Sequence, residues 1–267
     1  MTSLKLVTTL ESLKNKNMKT SISDYDAYRN ACLEAATNDE KFKVFKQNRD
    51  YTEILEHTDP HTGGYYAGYI LDSKFDFSKL DILRTNDLQG SPVIMEYAEP
   101  FGLISPSTLY YIKIAVELEK MFGSLDNMNI AEIGIGYGGQ CKIIYDYFKP
   151  ASYTLVDLPE AVKLAERYHR DFNYKGIKYL TQDQLPTDVE YDLVISNYAL
   201  TECARPIQLE YFDKVVKKSK KGYIAYNEIS GQFGIDSLSK SEIQNLISCS
   251  EKPEEPISGN NNCILYW

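Results

Sequence analysis

Long apolar runs are missing from this 267-residue chain: none approaches the roughly 18 residues that a membrane-spanning helix requires, so no span is expected. Positive charge is scarce too. Lys and Arg number 29 against 38 Asp and Glu, a formal net charge of -9, which disfavours a nucleic-acid partner because phosphate binding needs a basic face. The run Lys217 to Lys221 is too local to supply that face and reads as the cationic end of a helix. The five cysteines, Cys32, Cys141, Cys203, Cys249 and Cys263, are odd in number and contain no C-x-x-C pair, which argues against a disulfide framework and suits the cytoplasm. The first residues carry Lys5, Glu11 and Lys14 among short apolar patches and so lack the core of a signal peptide. Histidine occurs three times. His57-x-Asp59-x-His61 has a metal-like spacing, but a closed zinc site needs four ligands and nothing nearby supplies the rest, so no metal is expected. There is no internal repeat and no clean linker.

What the chain does have is a hydrophobic fraction of 43% with 25% charged residues, the composition of an ordinary globular protein. Its organising stretch is Asn129-Ile-Ala-Glu-Ile-Gly-Ile-Gly-Tyr-Gly-Gly-Gln140, an apolar run that breaks into glycines at 134, 136, 138 and 139. It reads as a buried strand turning sharply into a helix, with glycines permitting positive φ and a close ligand approach where a Cβ would collide. The helix start offers free N–H groups and the positive end of its dipole. A second apolar run, Ser152 to Val156, closes on Asp157, where an acidic side chain reaches ribose hydroxyls. Two ligand classes fit. Gly134, Gly136 and Gly139 satisfy the dinucleotide fingerprint, whereas Glu132 before the first glycine makes the motif Glu-x-Gly-x-Gly-x-Gly.

Around this stretch the pattern alternates: strand 129–133, helix 138–148, strand 152–156, helix 159–170, strands 177–180 and 191–195, helix 205–218, strand 222–227, helix 238–248 and terminal strand 262–267. Repeated β-α-β units with short connections predict an α/β fold with a Rossmann-like, doubly wound parallel sheet. Ahead of it, residues 1–23 read as a loosely held arm, 24–37 and 39–56 as helices with Asp39 capping the second, 63–69 as a flexible tyrosine-rich loop, and 74–100 as an irregular connection. Ser105 then caps a helix with Pro106 at its first position and Gly123 past its end. The expected division is a mostly helical extension over 1–123, forming a cap and acceptor region, and a nucleotide-binding domain over 124–267.

The strand Tyr191 to Ile195 runs into Ser196-Asn-Tyr-Ala-Leu-Thr-Glu202. The blocks EIGIGYGGQ, LVDLPEA, DLVISNYALTE, PIQLEYF and GYIAYNE, in that order, resemble the sugar O-methyltransferases associated with bacterial surface-polysaccharide gene sets, a group of class I S-adenosylmethionine-dependent methyltransferases. ILEH, Asp87 to Pro92 and Ser105 to Leu109 also match, so the likeness covers residues 45 to 267. The resemblance implies an S-adenosylmethionine-dependent O-methyltransferase, cytoplasmic and working on a sugar or nucleotide-sugar acceptor for capsule, lipopolysaccharide or exopolysaccharide, with an antiparallel last strand. It further implies that Glu132, Gly134, Gly136, Gly138, Gly139 and Gln140 hold the methionine part of the cofactor, Asp157 the ribose diol, Leu158 an adenine face, and Asp183 or Gln184 the adenine edge, with Asn197 alongside.

A sugar hydroxyl is a poor nucleophile, and a base should take its proton as the methyl bond forms. The candidates are Glu202, His57 and Glu228. The plain alternative for Glu202 is a structural pair with Arg205, and for His57 a helix C-terminal cation. Tyr198, Asn227 and Glu228 are expected at the substrate. Twenty-two tyrosines, among them those at 65, 66, 69, 110 and 111, suit a polar-edged flat acceptor such as a sugar, and equally suit ordinary packing. An NAD(P)-dependent oxidoreductase and a catalytically silent S-adenosylmethionine-binding subunit are the competing readings.

Overall fold

Seven strands form the central sheet, in the order β5-β4-β3-β6-β7-β9-β8. The computed structural model describes residues 19–55, 58–256, 259 and 261–267. Strands β3 (Asn129–Ile133), β4 (Ser152–Val156), β5 (Ile177–Leu180), β6 (Tyr191–Asn197) and β7 (Ser219–Tyr226) are parallel neighbours. The last two, β8 (Ser250–Pro253) and β9 (Cys263–Tyr266), extend the sheet antiparallel beyond β7. The β3 residues Ile130, Ala131, Glu132 and Ile133 are all buried, as expected for a central strand covered on both faces. The order reverses between β3 and β6, which opens a crevice over the carboxyl ends of the parallel strands.

Both faces are covered by helices. Ile130, Leu155, Leu193 and Tyr223 pack toward α6 (Pro106–Phe122) and α7 (Gly139–Tyr147), and the opposite residues Ala131, Val156, Val194 and Ile224 pack toward α9 (Arg205–Lys214) and α10 (Lys240–Leu246). α6 begins as its sequence predicts, with Ser105 Oγ accepting from Thr108 N, Pro106 in the first turn and Gly123 at φ 80° past its end. A third cluster joins α1 (Asp26–Thr37) to α8 (Pro159–His169), and places Tyr28, Phe45 and Tyr51 with Leu164, Tyr168 and Tyr137 of the glycine loop. The Arg29 guanidinium fixes this docking by gripping Glu160 with Nε and Nη2 at 3.1 and 3.0 Å.

The N-terminal region departs from its sequence reading at four places. The helix expected over 39–56 is divided into α2 (Asp39–Lys43), a 3-10 turn Phe45–Gln47 and α3 (Arg49–Thr52), and Asn38, not Asp39, caps the first piece. The break lets Phe45 and Lys46 turn inward, where Lys46 Nζ lies 4.2 Å from the Tyr137 ring centroid and donates to Asn86 O at 2.9 Å. The stretch 63–69, expected as a loop, lies within α4 (Pro60–Leu71), capped by Asp59, whose carboxylate takes His61 N and Thr62 N. Gly63 belongs in that helix because a Cβ there would overlap the Tyr97 hydroxyl. The connection 74–100 contains α5 (Leu80–Arg84) and the strand β1 (Met95–Tyr97), which pairs with β2 (Gly102–Ile104). Finally, the end of the expected arm is bound to the sheet: Ile22 N donates to Glu202 O, Ala204 N to Thr20 O, and Ser21 bridges Cys203. Of the lysine run, Lys217 and Lys218 end a 3-10 turn after α9, but Lys220 and Lys221 already belong to β7.

Candidate active site

Over the carboxyl ends of β3, β4, β6 and β7 lies a cavity of about 1170 Å³. Its floor is main chain and strand-tip side chains: Glu132, Gly134, Gly136, Asp157, Leu158 and Asp183 on one half, and Asn197, Tyr198, Glu202 and Asn227 on the other. Its roof comes from the N-terminal region, with Ser21, Tyr28, Leu55, Tyr66, Tyr110 and Tyr111 among the lining residues.

On the first half, Asp157 organises the loop. Oδ2 accepts from Ile135 N at 2.7 Å and Gly136 N at 3.0 Å, while Oδ1 accepts from Leu158 N at 2.6 Å. Three of the four lone-pair directions of the carboxylate are thereby spent on backbone, so it has room for one hydroxyl donor where the sequence reading expected two. Burial still raises its carboxyl above the ordinary range, opposed by those three donors. Glu132 is buried at the end of β3 and accepts from Tyr153 Oη at 2.7 Å; burial pushes its carboxyl up to about 8. Gly134 and Gly136 adopt φ of 80° and 54°, as the turn requires. The space their missing side chains leave is taken by the protein itself: a Cβ on Gly134 would overlap Ala199 Cβ, and one on Gly136 the Leu55 Cδ1.

On the second half, β6 is followed at once by Tyr198, a non-glycine residue at φ 68°. Strained backbone of this kind is held only where its surroundings over-determine it. Here Tyr198 N donates to Ala225 O, Thr201 Oγ1 donates to Tyr198 O at 2.8 Å, and the phenol donates to the buried carboxylate of Glu254 just past β8. Glu202, one turn on, accepts from Asn227 Nδ2 at 2.6 Å, and burial raises its carboxyl while Asn227 opposes the rise. Arg205 bonds Asp236 and Glu242, so the alternative pairing of Glu202 with Arg205 is not formed. Asn197 Oδ1 is a buried acceptor without a hydrogen-bond partner among the described residues, and it lines the cavity where a ligand donor could meet it.

Five expected residues stand apart from this cavity. Gln140 is buried in α7 and donates to Tyr111 O; Gly138 and Gly139 lie where the loop enters α7, against His169 and against Tyr137 with Tyr111. Gln184 turns back to accept from Thr181 N in a capping box, so of the pair offered for the adenine edge only Asp183 reaches the wall. Glu228 is exposed and accepts from Tyr226 Oη at 3.3 Å. His57 lies outside the described residues. Of the roof, the sequence points to Tyr66, Tyr110 and Tyr111 and misses the rest: Tyr28 carries only an ordinary core-helix signal, and Ser21 to Ser23 fall inside the segment read as an arm.

No family model matches the chain. Over 110 residues, 39% of its length, it is 29% identical to a probable phthiotriol/phenolphthiotriol dimycocerosates methyltransferase 2 of Mycobacterium ulcerans (strain Agy99), and the match spans 41% of that protein. Among solved structures it is similar to the N-methyltransferase NodS of Bradyrhizobium japonicum, determined with S-adenosyl-L-homocysteine, at 16% identity over 59% of this chain and 84% of that one, TM-score 0.45. An O-methyltransferase family protein from Burkholderia thailandensis aligns over 59% of this chain and 57% of its own at 12% identity and TM-score 0.41.

Proposed function

We propose that the protein is an S-adenosylmethionine-dependent O-methyltransferase that methylates a hydroxyl of a sugar or sugar-like precursor in surface-polysaccharide synthesis. The observation that carries the cofactor class is the capture of the loop amides of Ile135 and Gly136 by Asp157. In a dinucleotide site those amides cradle a pyrophosphate. Here they are spent, and among the described lining residues there is no Lys, Arg or His to replace them, which counts against the oxidoreductase reading. The same wall suits a cationic nucleoside: the buried Glu132 and Asp157 carboxyls would be stabilised as anions by a nearby positive charge, Leu158 offers an apolar face, and Asn197 Oδ1 can accept from a ligand donor. The mycobacterial relative's methyltransferase name agrees with this class.

When bound, the sulfonium cofactor supplies an activated methyl group. The chain's work is then to hold an acceptor hydroxyl in line and remove its proton. Glu202 is placed for the second task, because burial raises its proton affinity and Asn227 fixes one carboxylate oxygen. Tyr66, Tyr110 and Tyr198 wall the acceptor half with rings whose hydroxyls bond and whose faces stack, a combination that fits a sugar. The test is equilibrium binding of S-adenosylmethionine and of NAD to the purified chain, followed by a labelled-methyl screen of sugars. Binding of the sulfonium compound alone, with label transferred by the parent chain and turnover cut by about a hundredfold or more in Glu202→Gln at unchanged cofactor affinity, is the expected result. Full turnover in that variant removes Glu202 as base; cofactor affinity without any transfer favours the silent subunit.

A further inference from the structure

The charge of the cavity wall is one-sided. Among the described residues that line it are six carboxylates, Glu53, Asp59, Glu132, Asp157, Asp183 and Glu202, and no lysine, arginine or histidine. A seventh, Glu254, is buried directly behind Tyr198. The exposed wall groups are not all free: Arg49 stands 3.6 Å from Glu53, and the Asp59 carboxylate caps α4. Among the described residues the inner three, Glu132, Asp157 and Glu202, have no cationic partner, and their donors are a phenol, backbone amides and an amide side chain. A sulfonium nucleoside answers the half beside the glycine loop and leaves Glu202, in the other half, with an amide as its described partner.

The other half is built from aromatic faces and acids. Tyr66 and Tyr110 lie with ring centroids 5.3 Å apart, Tyr198 and Glu202 line the same cavity, and the Tyr198 phenol bonds Glu254. Aromatic faces together with desolvated carboxylates attract an ammonium group, and the same surroundings repel phosphate, which no described cationic side chain here would meet. We infer that the acceptor carries a protonated amine and no phosphate, so that the sugar is methylated as an amine-bearing glycoside and not as a nucleotide-linked one. The inference rests on the methyl-transfer reading for its acceptor half, and it narrows the acceptor that reading leaves open. The raised carboxyl of Glu202 agrees with it, since burial is the cause of the rise and a cation beside a buried carboxylate offsets that cost.

The experiment is calorimetric titration of the full chain, saturated with S-adenosylhomocysteine, with glucosamine, glucose and UDP-glucose at low and at moderate salt. The expected order is glucosamine tighter than glucose by about tenfold, with the advantage shrinking as salt rises, and UDP-glucose no tighter than glucose. Glu202→Gln should shrink the affinity ratio of glucosamine to glucose toward one. UDP-glucose binding tighter than glucose overturns the inference, as does glucosamine binding no tighter than glucose, including the case where neither binds. A chain that takes up no S-adenosylhomocysteine defeats the methyl-transfer reading instead, and the same three titrations on ligand-free protein then still decide the charge preference. Cyclohexylamine separates the remaining pair of causes: an affinity equal to that of glucosamine keeps the ammonium and removes the sugar ring.

Discussion

The floor and the roof of the cavity are made in different ways. The floor is strand tips, and its positions are fixed by the ladder: Glu132 pairs in register with Leu155 and Ile195, and Asn197 with Ala225. The roof is side chains brought in by separate N-terminal helices and turns and packed on the floor, as with Leu55 on Gly136. Local pattern sets a floor of this kind, and packing sets the roof, so perturbing each should fail differently.

The largest effect is expected at Asp157. Asp157→Ala strands the Ile135 and Gly136 amides and removes the last free oxygen site, and charge-assisted hydrogen bonds are worth about 1.5–3 kcal/mol each. The affinity for S-adenosylhomocysteine, measured by calorimetry, should fall by about a hundredfold or more. An affinity within about fivefold of the parent would show that the floor does not depend on this carboxylate.

That contrast also explains what could be read from the sequence. Strands 129–133, 152–156 and 177–180 fall where the sequence places them, because an apolar run bounded by turn residues has one stable use inside a parallel sheet. The antiparallel last strand is present as well. By contrast, the helix expected over 39–56 breaks because burying Lys46 beneath Tyr137 outweighs a continuous periodic stripe, and nothing in the local spacing announces a partner 91 positions away. Asp59-Pro60 did announce a helix start, but the glycines after it argued for a loop, and their true cause is Tyr97 from a distant strand. In the site, most strand-tip candidates gather around one cavity, whereas Glu228, offered as a base, faces solvent and Gln184, placed by resemblance, bonds its own turn.

A smaller effect lies in the pH dependence of the floor. Glu132 in the folded chain titrates at about 8, above its ordinary value, so the folded state holds its proton over a range where the unfolded chain has lost it. The stability it contributes is complete at acid pH and is lost as pH rises toward and through 8. Ligand-free protein should therefore weaken by up to about 1 kcal/mol per pH unit across that window, and Glu132→Gln should flatten the slope. Chemical denaturation at several pH values reads it directly, and an unchanged slope in the variant would assign the dependence elsewhere.

The smallest effect belongs to the roof. Leu55→Ala opens the contact over Gly136 without touching the ladder, and should change S-adenosylhomocysteine affinity by about threefold or less with global stability kept. A loss as large as that of Asp157→Ala would make roof and floor one cooperative unit.

One consequence follows from the way Asp157 clasps the turn after β3. A turn that had to wrap a diphosphate would need those two amides vacant, and this chain has filled them from within. Redesigning it toward nicotinamide chemistry would first require deleting its own internal anion, to release the Ile135 and Gly136 amides.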